Sequence, residues 1–311
     1  MIYTVTCNPS LDYWMEADLQ MGQVNRATAT GCSFGGKGLN VSAMLTRLGC
    51  PSVALGFAAG WTGEALLSDA RRAGVATDFV RAGDPDALTR INVKIRGEQT
   101  TEINGAGSPL QEGDLHALLA KLEQVTAGDA VVLAGSLPPG VPCDLYARLV
   151  TELGEKGVYT VVDCEGVALV AAVKAGPFLV KPNRQELEGW AGKPLPTLEA
   201  VAEAARRMQA TGAERVLVSL GGDGTLLVDT DGTCYRTEAL KGRVLQTVGA
   251  GDAMLAGFLY GYTCFHGDVI QALRWGSCAG AATVFYGANA AGEQVRRLYE
   301  EQKPTVERLG L

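Results

Sequence analysis

Apolar positions along the chain follow two rhythms. From about residue 112 onward, short β-branched apolar runs alternate with stretches whose apolar residues recur every three to four positions. Helices are predicted over 115–125, 144–153 and 198–211, and strands over 130–134, 158–162, 178–180, 215–219 and 226–229. This alternation implies βαβ units and an α/β, doubly wound, mostly parallel sheet flanked by helices. The first third of the chain differs. Residues 1–6 read as a strand, and Val41, Met44, Leu45 and Leu48 mark an amphipathic helix ending at Gly49. Residues 13–18 with 25–32, and 88–95 with 100–103, alternate as two β-hairpins. They have no place in the large sheet and form a small β-sheet lid of about 12–32 and 88–104 on one domain spanning 1–311.

Composition narrows the class. A chain of 311 residues with 47% hydrophobic residues buries a large core. The net charge of −7, with no cluster of Lys and Arg to offset it, argues against a nucleic-acid partner, so small-molecule chemistry is expected. No apolar run is long enough to span a membrane, and the first residues carry no basic, signal-like segment, which points to the cytoplasm. Eight cysteines show no C-x-x-C pair, and most read as core residues. With two histidines, His116 and His266, there is little material for a zinc site or a histidine-dependent triad.

The stretch Gly249-Ala250-Gly251-Asp252, followed by small and apolar residues to about Tyr262, reads as a tight turn entering a buried helix. The N–H groups and partial positive charge of a helix N-terminus attract anions, and glycine lets a ligand approach the backbone. Asp252 is there either a helix cap or a general base beside a phosphoryl group. A second glycine-rich stretch, Ser33 to Asn40, feeds the helix of Val41 to Leu48. Gly31 to Lys37 fits G-x-x-x-x-G-K, but Gly38 stands where a P-loop needs Ser or Thr. Gly31 to Gly35 fits G-x-S-x-G, but no helix starts directly after Ser33.

Other strand ends carry polar residues. Asp12 follows the first strand, Gly135-Ser136 the one at 130–134, Asp163 the one at 158–162, and Lys181-Pro182-Asn183 with Glu186 the one at 178–180. Asn183 and Glu186 match a capping box and equally a pair that holds water around magnesium. Ser219 to Gly224 is either a hairpin turn or the floor of a nucleotide pocket.

Gly35-Gly36-Lys37-Gly38-Leu39-Asn40, Lys181-Pro182-Asn183 with Glu186, Ser219 to Gly224, and Gly249 to Asp252 occur in this order at compatible spacings. Together they resemble the ribokinase-like carbohydrate kinases over nearly the whole chain. Residues 6–12, 88–92 and 135–138 resemble the branch that acts on phosphorylated ketohexoses. The resemblance implies ATP-dependent phosphorylation of a ketohexose phosphate, fructose 1-phosphate first and tagatose 6-phosphate as the alternative. It implies Asp252 as base and the N–H groups of Gly249, Ala250 and Gly251 as the anion hole. ATP would lie on Ser219, Gly221, Gly222, Asp223, Gly224, Gly249 and Gly251, with Mg2+ held through water by Asn183 and Glu186. Asp12, Gly36, Lys37, Asn40, Arg90 and Ser136 would hold the sugar phosphate, with Lys37 and Arg90 as cations for its phosphate. A homodimer through the lid is also implied. A non-catalytic sugar-phosphate sensor on the same fold is the rival from another class, and Asp252 argues against it.

Overall fold

The computed structural model describes residues 1–310. In chain order its elements are β1 (Ile2–Thr6), β2 (Ser10–Glu16), β3 (Ala29–Gly35), α1 (Lys37–Leu48), β4 (Ser52–Ala58), α2 (Gly60–Arg72), β5 (Ala76–Thr77), β6 (Val80–Arg81), β7 (Arg90–Arg96) and β8 (Thr100–Asn104). They continue with α3 (Glu112–Leu122), β9 (Ala130–Ala134), α4 (Leu145–Glu155), β10 (Tyr159–Asp163), α5 (Gly166–Lys174), β11 (Leu179–Val180), α6 (Arg184–Ala191), α7 (Leu198–Thr211) and β12 (Val216–Ser219). The last are β13 (Thr225–Val228), β14 (Cys234–Thr237), α8 (Ala250–Cys264), α9 (Val269–Tyr286), α10 (Gly292–Gln302) and β15 (Val306–Leu309).

The large sheet runs β15-β14-β13-β12-β11-β10-β9-β1-β4-β5, with β6 also on β4. From β12 to β5 every pairing is parallel, while β12 to β15 pair antiparallel. The parallel strands are buried on both faces and therefore read as continuous apolar runs such as Val131 to Ala134. One face packs on α3, α4, α5 and α7 residues including Leu118, Leu149, Val173 and Val201. The other packs on Met44 and Leu45 of α1, Phe258 of α8 and Leu273 of α9. The α/β fold with a mostly parallel, helix-flanked sheet thus agrees with the sequence pattern.

A separate four-stranded sheet runs β3-β2-β7-β8. The second hairpin lies close to the predicted 88–95 and 100–103, whereas the first pairs Ser10–Glu16 with Ala29–Gly35 in place of the predicted 13–18 and 25–32, which puts Asp12 inside a strand. What joins the two hairpins is a parallel pairing of β2 with β7, in which Asp12 stands beside Asn92 and Trp14 beside Lys94. Gly31 to Gly35 lie in β3, and α1 begins at Lys37. The P-loop and nucleophile-elbow fits are therefore accidents of spacing. No helix among the described residues is long and apolar enough to cross a membrane, and the eight cysteines are free thiols, five of them buried.

Candidate active site

Helix α8 is buried from Asp252 to Leu259, where it packs against α1 and α9, and this holds its first turn in place. Gly249 occupies the N-cap position at φ 78°, and a Cβ built there meets nothing within 4 Å. The space in front of the first turn is open, and the left-handed backbone favours glycine. Asp252 lies in the first turn, past the N-cap, and makes no capping hydrogen bond. The simple capping reading is therefore excluded. Instead Asn40 Nδ2, from the first turn of α1, donates to Asp252 Oδ2 at 2.7 Å.

The two glycines before Lys37 explain how α1 comes so close. Gly36 has φ 125°, and a Cβ there would approach Thr6 Cγ2 on β1 to 2.8 Å. A bulkier residue would push α1, and Asn40 with it, away from Asp252. Asp252 is 7% exposed, and its pKa is raised to about 6. Burial is the main cause and the charge of Asp163 the next, opposed by the Asn40 hydrogen bond and the cations of Lys181 and Lys37.

Asp163 ends β10 and is fully buried. Lys37 Nζ donates to its Oδ1 at 2.8 Å, and Lys181 Nζ lies 3.0 Å from its Oδ2 as an ion pair. Burial disfavours this carboxylate's charge, but Lys181 and Lys37 outweigh it and hold the pKa below the ordinary value. Lys37 also reaches Glu186 Oε1 at 3.3 Å. Its ammonium, opposed by burial, is held above the ordinary lysine pKa by Asp163 and Glu186. A Cβ added to Gly251 would sit 3.4 Å from Lys181 Nζ, so this buried lysine reaches the mouth of α8.

Asn183 and Glu186 form the capping box of α6. Asn183 Oδ1 accepts from the Glu186 N–H at 2.8 Å, and Glu186 Oε2 accepts from the Asn183 N–H at 2.8 Å. No cluster of three or more acidic, histidine or cysteine side chains that could hold a metal occurs among the described residues. An amide and one carboxylate offer an all-oxygen donor set that suits magnesium kept in its water shell and bound mainly by phosphates, which is how kinases hold it. Ser219 to Gly224 is a hairpin turn joining β12 to β13, and Asp223 Oδ2 ion-pairs with Arg184 at 2.7 Å.

Between the lid and the start of α8 lies a cavity of about 1000 Å³, with Asp12, Lys94, Asn40 and Gly249 in its lining. Asp12 Oδ1 accepts from Ser10 Oγ at 2.7 Å and Asn92 Nδ2 at 3.0 Å, and Lys94 Nζ lies 3.0 Å from Oδ2. Arg90 is placed elsewhere: its Nε donates to Asn8 O at 3.1 Å and its Nη1 to Gly105 O at 3.1 Å, beside a second, small pocket. Asn8 Nδ2 in turn donates to Ser136 Oγ at 3.3 Å. The structure therefore pairs Asn40 with Asp252, ties Lys37 to Asp163 and Glu186, and gathers Arg90 and Ser136 around Asn8. The sequence pattern does not single out Lys94, and it includes Asn92 only as part of the 88–92 stretch. The available signal was Arg90, Asn92, Lys94 and Arg96, four polar residues at every second position of one strand and so on one face.

Residues 7–294 match the model of the pfkB family of carbohydrate kinases. The chain is 39% identical over 307 residues to a 1-phosphofructokinase of Bacillus subtilis (strain 168), covering 98% of this chain and 99% of that one. It is 37% identical to a D-tagatose-1-phosphate kinase of Bacillus licheniformis, over 92% of this chain and 93% of the other. Among solved structures, phosphofructokinase-2 from Escherichia coli in complex with fructose-6-phosphate superposes with a TM-score of 0.88 at 30% identity, covering 96% of this chain and 98% of that one. The match extends through both the lid and the helix that carries Asp252, and the chain belongs to the pfkB family of carbohydrate kinases.

Proposed function

We propose that the protein transfers the γ-phosphoryl group of ATP to the free primary hydroxyl of a ketohexose phosphate, with fructose 1-phosphate as substrate and fructose 1,6-bisphosphate as product. The observation that carries this reading is Asp252: a buried carboxyl with a pKa of about 6, oriented by Asn40, in the first turn of a helix whose entrance is open. Such a group is ionised near neutral pH yet basic enough to accept a proton. Asp252 takes the hydroxyl proton as the oxygen attacks, and the N–H groups of Gly249, Ala250 and Gly251 stabilise charge on the transferring phosphoryl group. Lys181 and Lys37, anchored by Asp163, add positive charge beside that path.

Asp12, Gly36 and Asn40 bind the sugar phosphate beneath the lid, Arg90 and Ser136 border that site from the neighbouring group around Asn8, and Ser219, Gly221, Gly222, Asp223 and Gly224 line the ATP side. Asn183 and Glu186 would hold magnesium through water, where it would neutralise charge on the nucleotide phosphates. Lys37, assigned from sequence to the sugar's phosphate, is paired with two carboxylates and better suits the nucleotide side. The lid excludes water, which would otherwise compete as acceptor. Its outer face carries Tyr13, Ile91 and Ile103, which are 37%, 36% and 60% exposed, and these apolar groups support a homodimer formed through the lids.

The Bacillus licheniformis relative favours tagatose 1-phosphate over tagatose 6-phosphate as the second substrate. It differs from fructose 1-phosphate at one carbon and leaves the same hydroxyl free. The test is ADP release with Mg-ATP, compared by kcat/KM over fructose 1-phosphate, tagatose 1-phosphate, tagatose 6-phosphate, fructose 6-phosphate, fructose and ribose. Preference for a 1-phosphate is expected. Ligand binding with no turnover on any sugar would instead establish a sensor.

A further inference from the structure

Four cations line the large cavity: Arg47, Arg72, Lys94 and Arg96. Arg47 donates to Ala288 O at 2.6 Å and Asn289 Oδ1 at 3.0 Å, while Arg72, paired with Asp69 at 3.0 Å, and Arg96, whose guanidinium lies over the Trp14 ring 5.0 Å from its centre, are exposed to solvent. Lys94 differs. Its single recorded partner among the described residues is Asp12 Oδ2 at 3.0 Å, so the ammonium keeps donors to spare. The Lys94 side chain is 13% exposed, which leaves its charge only partly screened by water. Asp12 needs no further help to hold its place, because Ser10 and Asn92 already fix its other oxygen. Glu102 faces Lys94 in register on β8 but is exposed, and it makes no recorded ion pair with it. Of the two cations expected for the sugar's phosphate, Lys37 is held by Asp163 and Glu186 and Arg90 by two backbone carbonyls; neither lines this cavity, whose wall meets the Asp252 site through Asn40 and Gly249.

We propose that Lys94 is a specificity residue: it binds the phosphate already carried by the sugar, while Asp12 beside it accepts the sugar's hydroxyls. The inference rests on the ketohexose-phosphate reading given above. Lys94 and Asp12 then form one recognition unit built across the parallel β2–β7 pairing. The ammonium bridges the carboxylate and the incoming phosphate, so binding requires no ion pair to be broken. The bland alternative is that Lys94 only neutralises Asp12.

Calorimetric binding of fructose 1-phosphate, together with kcat and KM, separates the two roles in the wild type, Lys94→Gln, Lys94→Arg, Asp12→Asn and the Lys94→Gln/Asp12→Asn double variant. Loss of a charged hydrogen bond to phosphate predicts affinity weaker by about 10- to 100-fold in Lys94→Gln, with kcat changed far less and substantial recovery in Lys94→Arg. The same factor should recur when Asp12 is already replaced by asparagine. If Lys94 serves only to neutralise Asp12, the loss disappears in the Asp12→Asn background, and the proposal is overturned. Unaltered affinity in Lys94→Gln also overturns it. A wild type that neither binds nor phosphorylates any ketohexose phosphate overturns the functional reading itself, and the inference with it.

Discussion

Replacing Asp252 by asparagine should make the protein more stable while removing its activity. In the folded state this carboxyl titrates at about 6 instead of its ordinary 3.8, mainly because it is buried. Linkage turns that difference into about 2–3 kcal/mol lost from folding at neutral pH, since the unfolded chain ionises the group more readily. Well below pH 3.8 both states are protonated and no stability is lost. The penalty grows as pH rises through the interval from 3.8 to about 6 and is complete above it. The asparagine amide would be uncharged at every pH and could still accept the hydrogen bond from Asn40. Asp252→Asn should therefore melt about 3–5 °C above wild type at pH 7.5, with the gap closing as pH falls towards 4. Turnover should fall by about 10²- to 10⁴-fold, with sugar-phosphate affinity changed only several-fold. Calorimetric melting across pH, alongside steady-state kinetics, measures both effects. Equal or lower stability at pH 7.5, or near-normal turnover, would refute the assignment of Asp252 as a base held in an unfavourable environment for function.

Other predictions follow from neighbouring contacts. Because the charge of Asp163 helps raise the Asp252 pKa, Asp163→Asn should move the acid limb of the kcat/KM profile to lower pH. A limb set by ionisation of the sugar phosphate itself would not move. Gly249→Ala meets no steric obstacle but forces alanine to φ 78°, so chemical denaturation should show a loss of about 1–2 kcal/mol, and the added methyl should lower kcat. Asn183→Ala removes the α6 cap, costing about 1 kcal/mol in the same assay. A rise in the Mg2+ concentration needed for half-maximal activity should accompany that loss if the pair also orders the metal's water shell.

The parallel half of the fold is legible because each of its strands and helices declares itself locally. Val131 to Ala134 is a short apolar run closed by Gly135, as a doubly buried strand is, and Val41 to Leu48 carries the period of an amphipathic helix. The turn at Gly249 was legible for the same reason: its chemistry lies within four consecutive residues. What is not legible is contact across the chain. Lys94 meets Asp12 only because β2 and β7, some eighty residues apart, pair in parallel, and local periodicity carries no register between hairpins. Asp163 was visible as a strand-end acid, but its role depends on α1 bringing Lys37 over the sheet and on Lys181 ending the next strand. For Asn183 and Glu186 the residue pattern suits both a cap and a water-mediated metal site. The geometry shows the cap, while the metal role rests on the family resemblance.

The most direct test of phosphoryl transfer governed by Asp252 is phosphorus NMR of a reaction containing the protein, Mg-ATP and fructose 1-phosphate, run beside Asp252→Asn. The account predicts that ADP and fructose 1,6-bisphosphate appear in equal amounts with the wild type, and that the variant forms them at least about a hundredfold more slowly. ADP without bisphosphate, or equal rates from the two proteins, would contradict it.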